Sequence, residues 1–182
     1  DQNSMDTVKK TTGIDATLVC DPVILYGYEK EMKSFVPPMK DYILIYSYDK
    51  NLNDEAEYNH IKEYAEKHNL KIVSVGYYHK WCKSIDASPF ELLEWIKNAN
   101  LVVTDTFHGS VMSIICNTPA VVKLRGNQNK LRFLLSEYGL LDRTISDFSE
   151  MEAVANRNVD FNVVNAAIKE RREASMRFLD DA

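Results

Sequence analysis

From about residue 40 onward, short apolar runs alternate with longer segments in which apolar residues recur at helical spacing. The apolar runs predict strands at 41–48, 71–77, 101–104, 120–124 and 143–145, with a loop at 78–87. The intervening segments predict helices at 53–69, 88–98, 108–116, 130–138, 150–155 and 161–179. Strands that alternate with helices form a parallel sheet with right-handed crossovers. We therefore predict an α/β fold, a Rossmann-like doubly wound parallel sheet with helices on both faces.

The first 40 residues follow a different pattern. Residues 17–26 have the composition of an extended segment, but Asp21 and Pro22 interrupt it. Because proline removes a hydrogen-bond donor from a sheet, we expect an edge strand or a strand broken by a turn there. Pro37 and Pro38 lie in a stretch with little periodicity, which predicts a linker. A domain would begin just after this linker.

Composition limits the class of protein. With 182 residues, of which 45% are hydrophobic, the chain supports one core, and its net charge of -5 argues against a general nucleic-acid partner. Cys20, Cys82 and Cys116 are far apart, so neither a zinc site nor a disulfide framework is predicted. No apolar run approaches the roughly 20 residues that span a bilayer. These features favour a cytoplasmic protein, and a start at Asp1 inside a helical pattern suggests a missing upstream portion.

The stretch LVVTDTFHGSVMSII at 101–115 joins a buried strand to a helix through a polar turn. Such a junction places a helix N-terminus beside the carboxyl edge of the sheet, where backbone N–H groups attract anions. His108, Gly109 and Ser110 lie where a phosphate, a carboxylate or a phosphosugar would be held. His108 is also the residue type that transfers protons near neutral pH.

Polar residues that directly follow the predicted strands would share this edge of the sheet, because the carboxyl ends of parallel strands meet there. They are Ser47, Tyr48, Asp49, Tyr77, Tyr78, His79, Asp105, Thr106, His108, Lys123, Arg125, Asn127 and Asn129. Lys123 and Arg125 would supply two fixed cations beside the helix start, and an Arg fork suits a carboxylate or a phosphate.

Each of these residues also has a purely structural interpretation. His108 could brace the turn through backbone hydrogen bonds, and Gly109 could be required only for close packing of the helix on the sheet. Asp105 could cap the helix, while Lys123 and Arg125 could be a solvated pair on a loop.

Two further patterns argue against a nucleotide-binding site. The tyrosines at 42, 46 and 48 fit strand packing better than a stacking platform. Neither GxGxxG nor GxxxxGK[ST] occurs, so the sequence contains neither the dinucleotide fingerprint nor the P-loop. The residues by themselves therefore support an anion-binding α/β domain.

Several segments resemble, in order, the polysaccharide pyruvyl transferase family. DQNSMDTVKKTTG is similar to the helix near the end of the family's first half, and LVCDPVIL is similar to the Asp-Pro segment before its interdomain linker. VVTDTFHGSVMSIICNTPAVV is similar to the signature strand-turn-helix, and NQNKLRFLLSEYGLLDR to the segment that follows. The resemblance covers nearly the whole chain.

This resemblance implies two Rossmann-like domains that face a cleft, as in GT-B glycosyltransferases, with the present chain as the second half. Residues 1–38 would be the tail of a missing N-terminal domain plus a linker, and 39–158 the Rossmann-like donor-binding domain. Residues 159–182 would form a C-terminal helix that packs across the domain junction.

The resemblance also implies a reaction. Family enzymes transfer a pyruvyl group from phosphoenolpyruvate to a sugar of a cell-surface polysaccharide, forming a pyruvate ketal and releasing phosphate. His108 would bind the donor and act as the acid, and Asp105 would raise the His108 pKa if the two side chains are within hydrogen-bond reach. The residues expected to bind the donor are Thr106, Gly109, Ser110, Lys123, Arg125, Asn129 and Lys130.

The expected partners follow from the same resemblance. The donor is a substrate, so no cofactor and no metal site are predicted. The acceptor would be a sugar or a lipid-linked oligosaccharide, which allows peripheral membrane association of the full-length protein.

One position departs from the better-known relatives, which carry an Arg two residues before the signature histidine, where this chain has Thr106. Either Arg125 or Lys130 replaces that cation, or the donor differs. The alternatives are a nucleotide-sugar glycosyltransferase and a non-catalytic ligand-binding module of the same fold.

Overall fold

A computed structural model describes residues 2–33, 35–126 and 128–181. Six parallel strands form one sheet: β1 (Tyr42–Tyr46), β2 (Lys71–Val75), β3 (Lys83–Ile85), β4 (Leu101–Thr104), β5 (Ala120–Lys123) and β6 (Thr144–Ile145). Their order is β3-β2-β1-β4-β5-β6, so the chain reverses direction across the sheet between β1 and β4. This doubly wound order confirms the predicted Rossmann-like fold class, and it places the topological switch point beside β4.

Eight α-helices are described: α1 (Gln2–Thr12), α2 (Pro22–Tyr26), α3 (Glu55–Lys67), α4 (Pro89–Lys97), α5 (Phe107–Ile115), α6 (Gln128–Glu137), α7 (Met151–Ala155) and α8 (Phe161–Asp180). Short 3-10 helices occur at Glu31–Lys33, Leu141–Arg143 and Phe148–Glu150. Local sequence explains several of the boundaries. Ser88 and Glu91 form a capping box at the start of α4, with Pro89 in its first turn.

The strands are buried on both faces, which explains their uninterrupted apolar runs. Ile43 and Ile45 of β1 pack with α3, α7 and the 3-10 helix at Phe148–Glu150 on one face of the sheet. Leu44 of β1 and Val102 of β4 belong to the opposite face, where α4 and α5 cover them. A second cluster on that face joins α5, α6 and α8. The two layers of helices fix the carboxyl ends of β1, β4 and β5 at one edge.

The prediction of an edge strand or a broken strand at 17–26 is wrong. Residues 22–26 form α2, because the Asp21 side chain accepts a hydrogen bond from Val23 N and Pro22 stands at the first helical position. Proline is tolerated there since its missing N–H would have had no intrahelical partner. The predicted loop at 78–87 is also incomplete, since it contains β3, a short strand whose residues are not fully buried.

The C-terminal helix α8 packs on the segment that precedes the sheet. Arg172 Nε donates to Ile24 O at 2.6 Å, and Cys20 N donates to Ser175 Oγ at 2.9 Å. Val164 and Ile168 bury the apolar face of the helix in the core. The division of the chain into the parts 1–38, 39–158 and 159–182 stays a prediction.

Candidate active site

Thr106 begins α5. Its hydroxyl accepts a hydrogen bond from Gly109 N at 2.9 Å, so Thr106 is the N-cap. Thr104 Oγ1 donates to Tyr46 O at 2.7 Å and accepts from Thr106 N at 3.1 Å, which fixes the turn to the end of β1. The structural alternative in which Asp105 caps this helix is therefore wrong. The Thr106 side chain is 3% exposed and already bonded, so it does not present a donor-binding group to solvent.

Gly109 and Ser110 are buried in the first turn of α5. A Cβ at Gly109 would lie 2.2 Å from Thr104 Oγ1, 2.8 Å from Thr106 Oγ1 and 2.9 Å from Tyr46 Cδ1. Ser110 Oγ donates to Thr106 O at 3.1 Å. The prediction that these two residues hold an anion directly is corrected, because their polar groups are used inside the turn. Close packing of the helix explains the glycine.

His108 lies between the buried residues Thr106 and Gly109 in sequence, yet it is exposed. Its ring contacts the Phe107 ring edge-on, with centroids 5.6 Å apart at an interplanar angle of 90°. As the first two residues of α5, Phe107 and His108 carry N–H groups that have no partner within the helix, because the helix ladder begins only after its first turn. The helix start therefore offers an anion these two amides and the His108 imidazole.

Asp105 does not approach His108 through any contact in the described structure. Its side chain is fully buried, Oδ1 accepts from Ser47 Oγ at 2.8 Å, and Oδ2 accepts from Asn51 Nδ2 at 2.7 Å. Oδ2 also accepts from Arg125 Nε at 2.7 Å. The carboxylate faces the loops after β1 and β5, so its predicted role beside the imidazole is corrected. Asp105 instead ties together three strand ends at the candidate site.

Both predicted cations are bound by carboxylates. Arg125 Nη2 contacts Glu57 Oε2 at 2.6 Å in addition to its bond with Asp105. Burial acts to lower the Arg125 pKa, but hydrogen bonds to Glu57 and Asp105 outweigh it, and the pKa is raised. Lys123 is 8% exposed, donates to Ser146 O, and lies 3.9 Å from Glu57 Oε1. Both cations are thus paired within the protein, and their predicted role in binding the donor stays a prediction.

Asn129 and Lys130 are exposed in the first turn of α6. Lys130 forms no ion pair with any residue that the structure describes. Both line an open depression of about 950 Å³ between α1 and the loop after β5. The predicted roles of Asn129 and Lys130 as anion-binding residues remain compatible with this placement. Asn127 lies outside the described residues.

A second cavity, of about 350 Å³, links Lys130 to the helix that carries His108. Lys130 and Phe107 both line it, together with Phe133 and Tyr138 of the α6 region and the segment 18–22. Burial raises the Tyr138 pKa well above its usual value, so this hydroxyl stays protonated. Asp21 and the Arg171–Glu137 ion pair also line this cavity, so its wall combines apolar surface with charged groups, as small-ligand sites do.

Sequence reasoning missed two residues of the Asp105 network. Asn51 follows β1 in the loop, and Glu57 lies in the first turn of α3. The sequence position of these two residues could have predicted them, since the first turn of a helix that follows a strand lies at the same sheet edge as the other strand ends.

Within the described part of the chain, no group of three His, Cys, Asp or Glu side chains is placed to hold a metal ion. No described helix is both long enough and apolar enough to cross a bilayer.

Three solved structures have similar folds. UDP-GlcNAc 2-epimerase from Methanocaldococcus jannaschii, solved with UDP-GlcNAc and UDP, has a TM-score of 0.59 at 18% identity over 97% of this chain and 59% of its own. The 2-epimerase from Rickettsia bellii has 0.54 at 21% identity, over 87% and 48%. The glycotransferase of kitacinnamycin has 0.53 at 17% identity, over 80% and 43%. The chain thus spans about half the length of these structures, and at such identities they establish the fold alone.

Sequence comparison identifies the family. A search of curated protein sequences finds no match to the chain. A family model described as polysaccharide pyruvyl transferase matches residues 1–125. The matched region contains α1, strands β1 to β5 and the whole of α5 with His108, and it ends at Arg125. Since it covers more than half of the sequence, the chain belongs to the polysaccharide pyruvyl transferase family.

Proposed function

We propose that this chain is the donor-binding half of an enzyme that transfers the pyruvyl group of phosphoenolpyruvate to a sugar as a ketal. The observation that carries the proposal is the exposure of His108 on the first turn of α5, where Thr106, Gly109 and Ser110 are buried. The His108 imidazole is not needed to cap that turn, because Thr106 supplies the cap. Family membership supports the same reaction.

The anion would be held by groups on two helices. The backbone N–H groups of Phe107 and His108 and the positive end of the α5 dipole attract a phosphate or a carboxylate. Lys130 provides a side-chain cation, and it lines the same cavity as Phe107. Lys130 rather than Arg125 thus replaces the arginine of better-known relatives, since Arg125 is bound by Asp105 and Glu57.

His108 would supply the proton for the chemical step. The imidazolium donates to the methylene carbon of phosphoenolpyruvate, which becomes a methyl group and leaves an oxocarbenium-like centre at the neighbouring carbon. Two sugar hydroxyls then form C–O bonds to that carbon, and the bond from carbon to the phosphate oxygen breaks. One hydroxyl proton returns to the imidazole and the other leaves with phosphate, so the ketal forms with balanced atoms and charge.

The remaining parts of the proposal concern the whole protein. A second domain would form the other wall of the cleft, and the acceptor would be a sugar or a lipid-linked oligosaccharide. We place the reaction in the cytoplasm, with peripheral membrane association where the acceptor is lipid-linked and without a nucleic-acid partner.

Thermal unfolding with candidate donors tests this proposal. A ligand at 100 times its dissociation constant stabilises the folded state by about 2.7 kcal/mol, which raises Tm by several degrees. We expect phosphoenolpyruvate to give such a shift in the full-length protein and UDP-GlcNAc to give none. Lys130→Gln should weaken the shift, while Lys169→Gln, which alters an exposed lysine on α8, should not. Stabilisation by UDP-GlcNAc alone would replace the proposal with a nucleotide-sugar transferase, and stabilisation by neither would favour a non-catalytic module.

A further inference from the structure

Three tyrosines that follow β1 and β2 lie at the carboxyl edge of the sheet: Tyr48, Tyr77 and Tyr78, here called the tyrosine platform. Tyr48 is 49% exposed and Tyr78 is 63% exposed, whereas Tyr42 of the same β1 strand is fully buried. The Tyr48 and Tyr77 rings lie 5.4 Å apart at 74°, edge to face. The expectation that tyrosines 42, 46 and 48 serve strand packing therefore holds for Tyr42 and is wrong for Tyr48, whose exposed ring lies at the edge where α/β sheets bind ligands.

The platform is held by its own loops. Asp49 Oδ1 accepts from Tyr78 N at 2.7 Å, and Ser74 Oγ donates to Tyr77 O at 2.7 Å. The Tyr77 ring also contacts the Tyr46 ring, with centroids 5.1 Å apart. These contacts fix the Tyr77 ring and the backbone of Tyr77 and Tyr78 before any ligand arrives, which lowers the entropy cost of binding.

The platform lies next to the helix that carries His108. Tyr46 pairs with Thr104 in the β1–β4 register, so the residues after them, Tyr48 and Thr106, leave the sheet side by side. The Tyr46 ring approaches to 2.9 Å from the position that a Gly109 Cβ would take. The platform and the first turn of α5 therefore border one crevice at the switch point of the sheet.

The shape of the platform selects among ligands. Two rings at 74° form a corner, not a flat slot between parallel faces. A planar nucleobase prefers stacking between parallel surfaces, whereas a puckered sugar ring presents C–H groups on both its face and its edge. Phenol hydroxyls and the Asp49 carboxylate lie in the same loops and are suitable partners for sugar hydroxyls.

We propose that the tyrosine platform binds a pyranose ring, with one face of the sugar on the Tyr48 ring, in the crevice that the first turn of α5 also borders. This inference rests on the proposed function in one respect: a donor held at α5 makes the bound pyranose the acceptor. Tyr48 and Tyr77 are then specificity-determining residues for the sugar, and they act without touching the donor.

Saturation-transfer NMR with free glucose, galactose, mannose, N-acetylglucosamine and UMP tests the platform in the full-length protein. We expect transfer to at least one pyranose, lost in Tyr48→Ala and retained in Tyr48→Phe, which keeps the ring. Tyr26→Ala is the matched control, because Tyr26 is 62% exposed but packs with Tyr28 in a different cluster. Pyranose binding that persists in Tyr48→Ala, or binding of UMP alone, would overturn the inference.

Turnover separates failure of the platform from failure of the proposed function. Tyr48→Ala should raise the KM for the acceptor about tenfold, the effect of losing one stacking contact, and leave the KM for phosphoenolpyruvate unchanged. An unchanged acceptor KM in an enzyme that consumes phosphoenolpyruvate would overturn the platform alone. Sugar binding that depends on Tyr48 in a protein that does not consume phosphoenolpyruvate would leave the platform standing and overturn only its assignment to that reaction.

Discussion

Asp105 and Arg125 form an ion pair at the carboxyl edge of the sheet, with Oδ2 and Nε 2.7 Å apart. The carboxylate has no solvent exposure and the guanidinium is 28% exposed. The pair joins the end of β4 to the end of β5 and removes Arg125 from the set of free anion-binding groups. The pair therefore holds the turn that begins α5.

Replacing Asp105 should destabilise the fold. Asp105→Asn puts an NH₂ group where Ser47, Asn51 and Arg125 all donate, so a buried donor loses its acceptor. We expect a loss of about 2 kcal/mol, below the ~3–5 kcal/mol of a fully buried pair because Arg125 is partly exposed. Chemical unfolding measures it. Glu57→Gln, at a carboxylate 23% exposed, should cost less than about 1 kcal/mol; equal costs would contradict the central position of Asp105.

Gly109 should not tolerate a methyl group. Gly109→Ala would drive a Cβ into Thr104, Thr106 and Tyr46, whose positions are fixed by the sheet and by hydrogen bonds. Overpacking of this kind costs about 1–3 kcal/mol, which lowers Tm by several degrees, on the order of 2–4 °C per kcal/mol. Gly126→Ala is the control, because no heavy atom of the described residues, chain neighbours aside, lies within 4 Å of the added Cβ. A Gly109→Ala protein as stable as the Gly126→Ala protein would show that the first turn of α5 is loosely packed.

Two of the three cysteines should resist alkylation in the folded protein. Burial raises the pKa of Cys82 to about 11 and that of Cys116 to about 12. At pH 8 about one Cys82 side chain in 10³ and about one Cys116 side chain in 10⁴ is then the reactive thiolate. For a free cysteine the thiolate fraction is about a quarter. Mass spectrometry after a short iodoacetamide pulse should find both unmodified in the native protein and modified in urea. Native labelling at the rate of free cysteine would contradict their burial.

The sheet could be predicted from sequence because strands buried on both faces give short apolar runs, such as YILIY in β1 and LVVT in β4. Strand β3 was not predicted, because none of its three residues is fully buried and they form no apolar run. The segment at α2 was misassigned although its signal was present: an Asp followed by Pro is the start of a helix as well as the break of a strand.

The sequence predicted which strand ends form the candidate site, but not which side chains contact one another there. Topology placed Ser47, Asp105 and Arg125 at one edge, as expected. Which groups they contact depends on side-chain rotamers and on partners such as Glu57, which is 68 residues from Arg125 in sequence. Sequence spacing therefore predicted the correct neighbourhood, but not the ion pairs that Lys123 and Arg125 form with Glu57 and Asp105.

The role of His108 is tested most directly by phosphate release from phosphoenolpyruvate, measured with a sugar acceptor in the full-length protein. His108→Gln should lower the rate at least about 100-fold, the range typical for loss of a general acid, with an unchanged Tm because the side chain is exposed. His68→Gln, at an exposed histidine that ends α3 at the opposite edge of the sheet, should release phosphate at the wild-type rate. Phosphate release by His108→Gln at the wild-type rate would remove this histidine from the reaction.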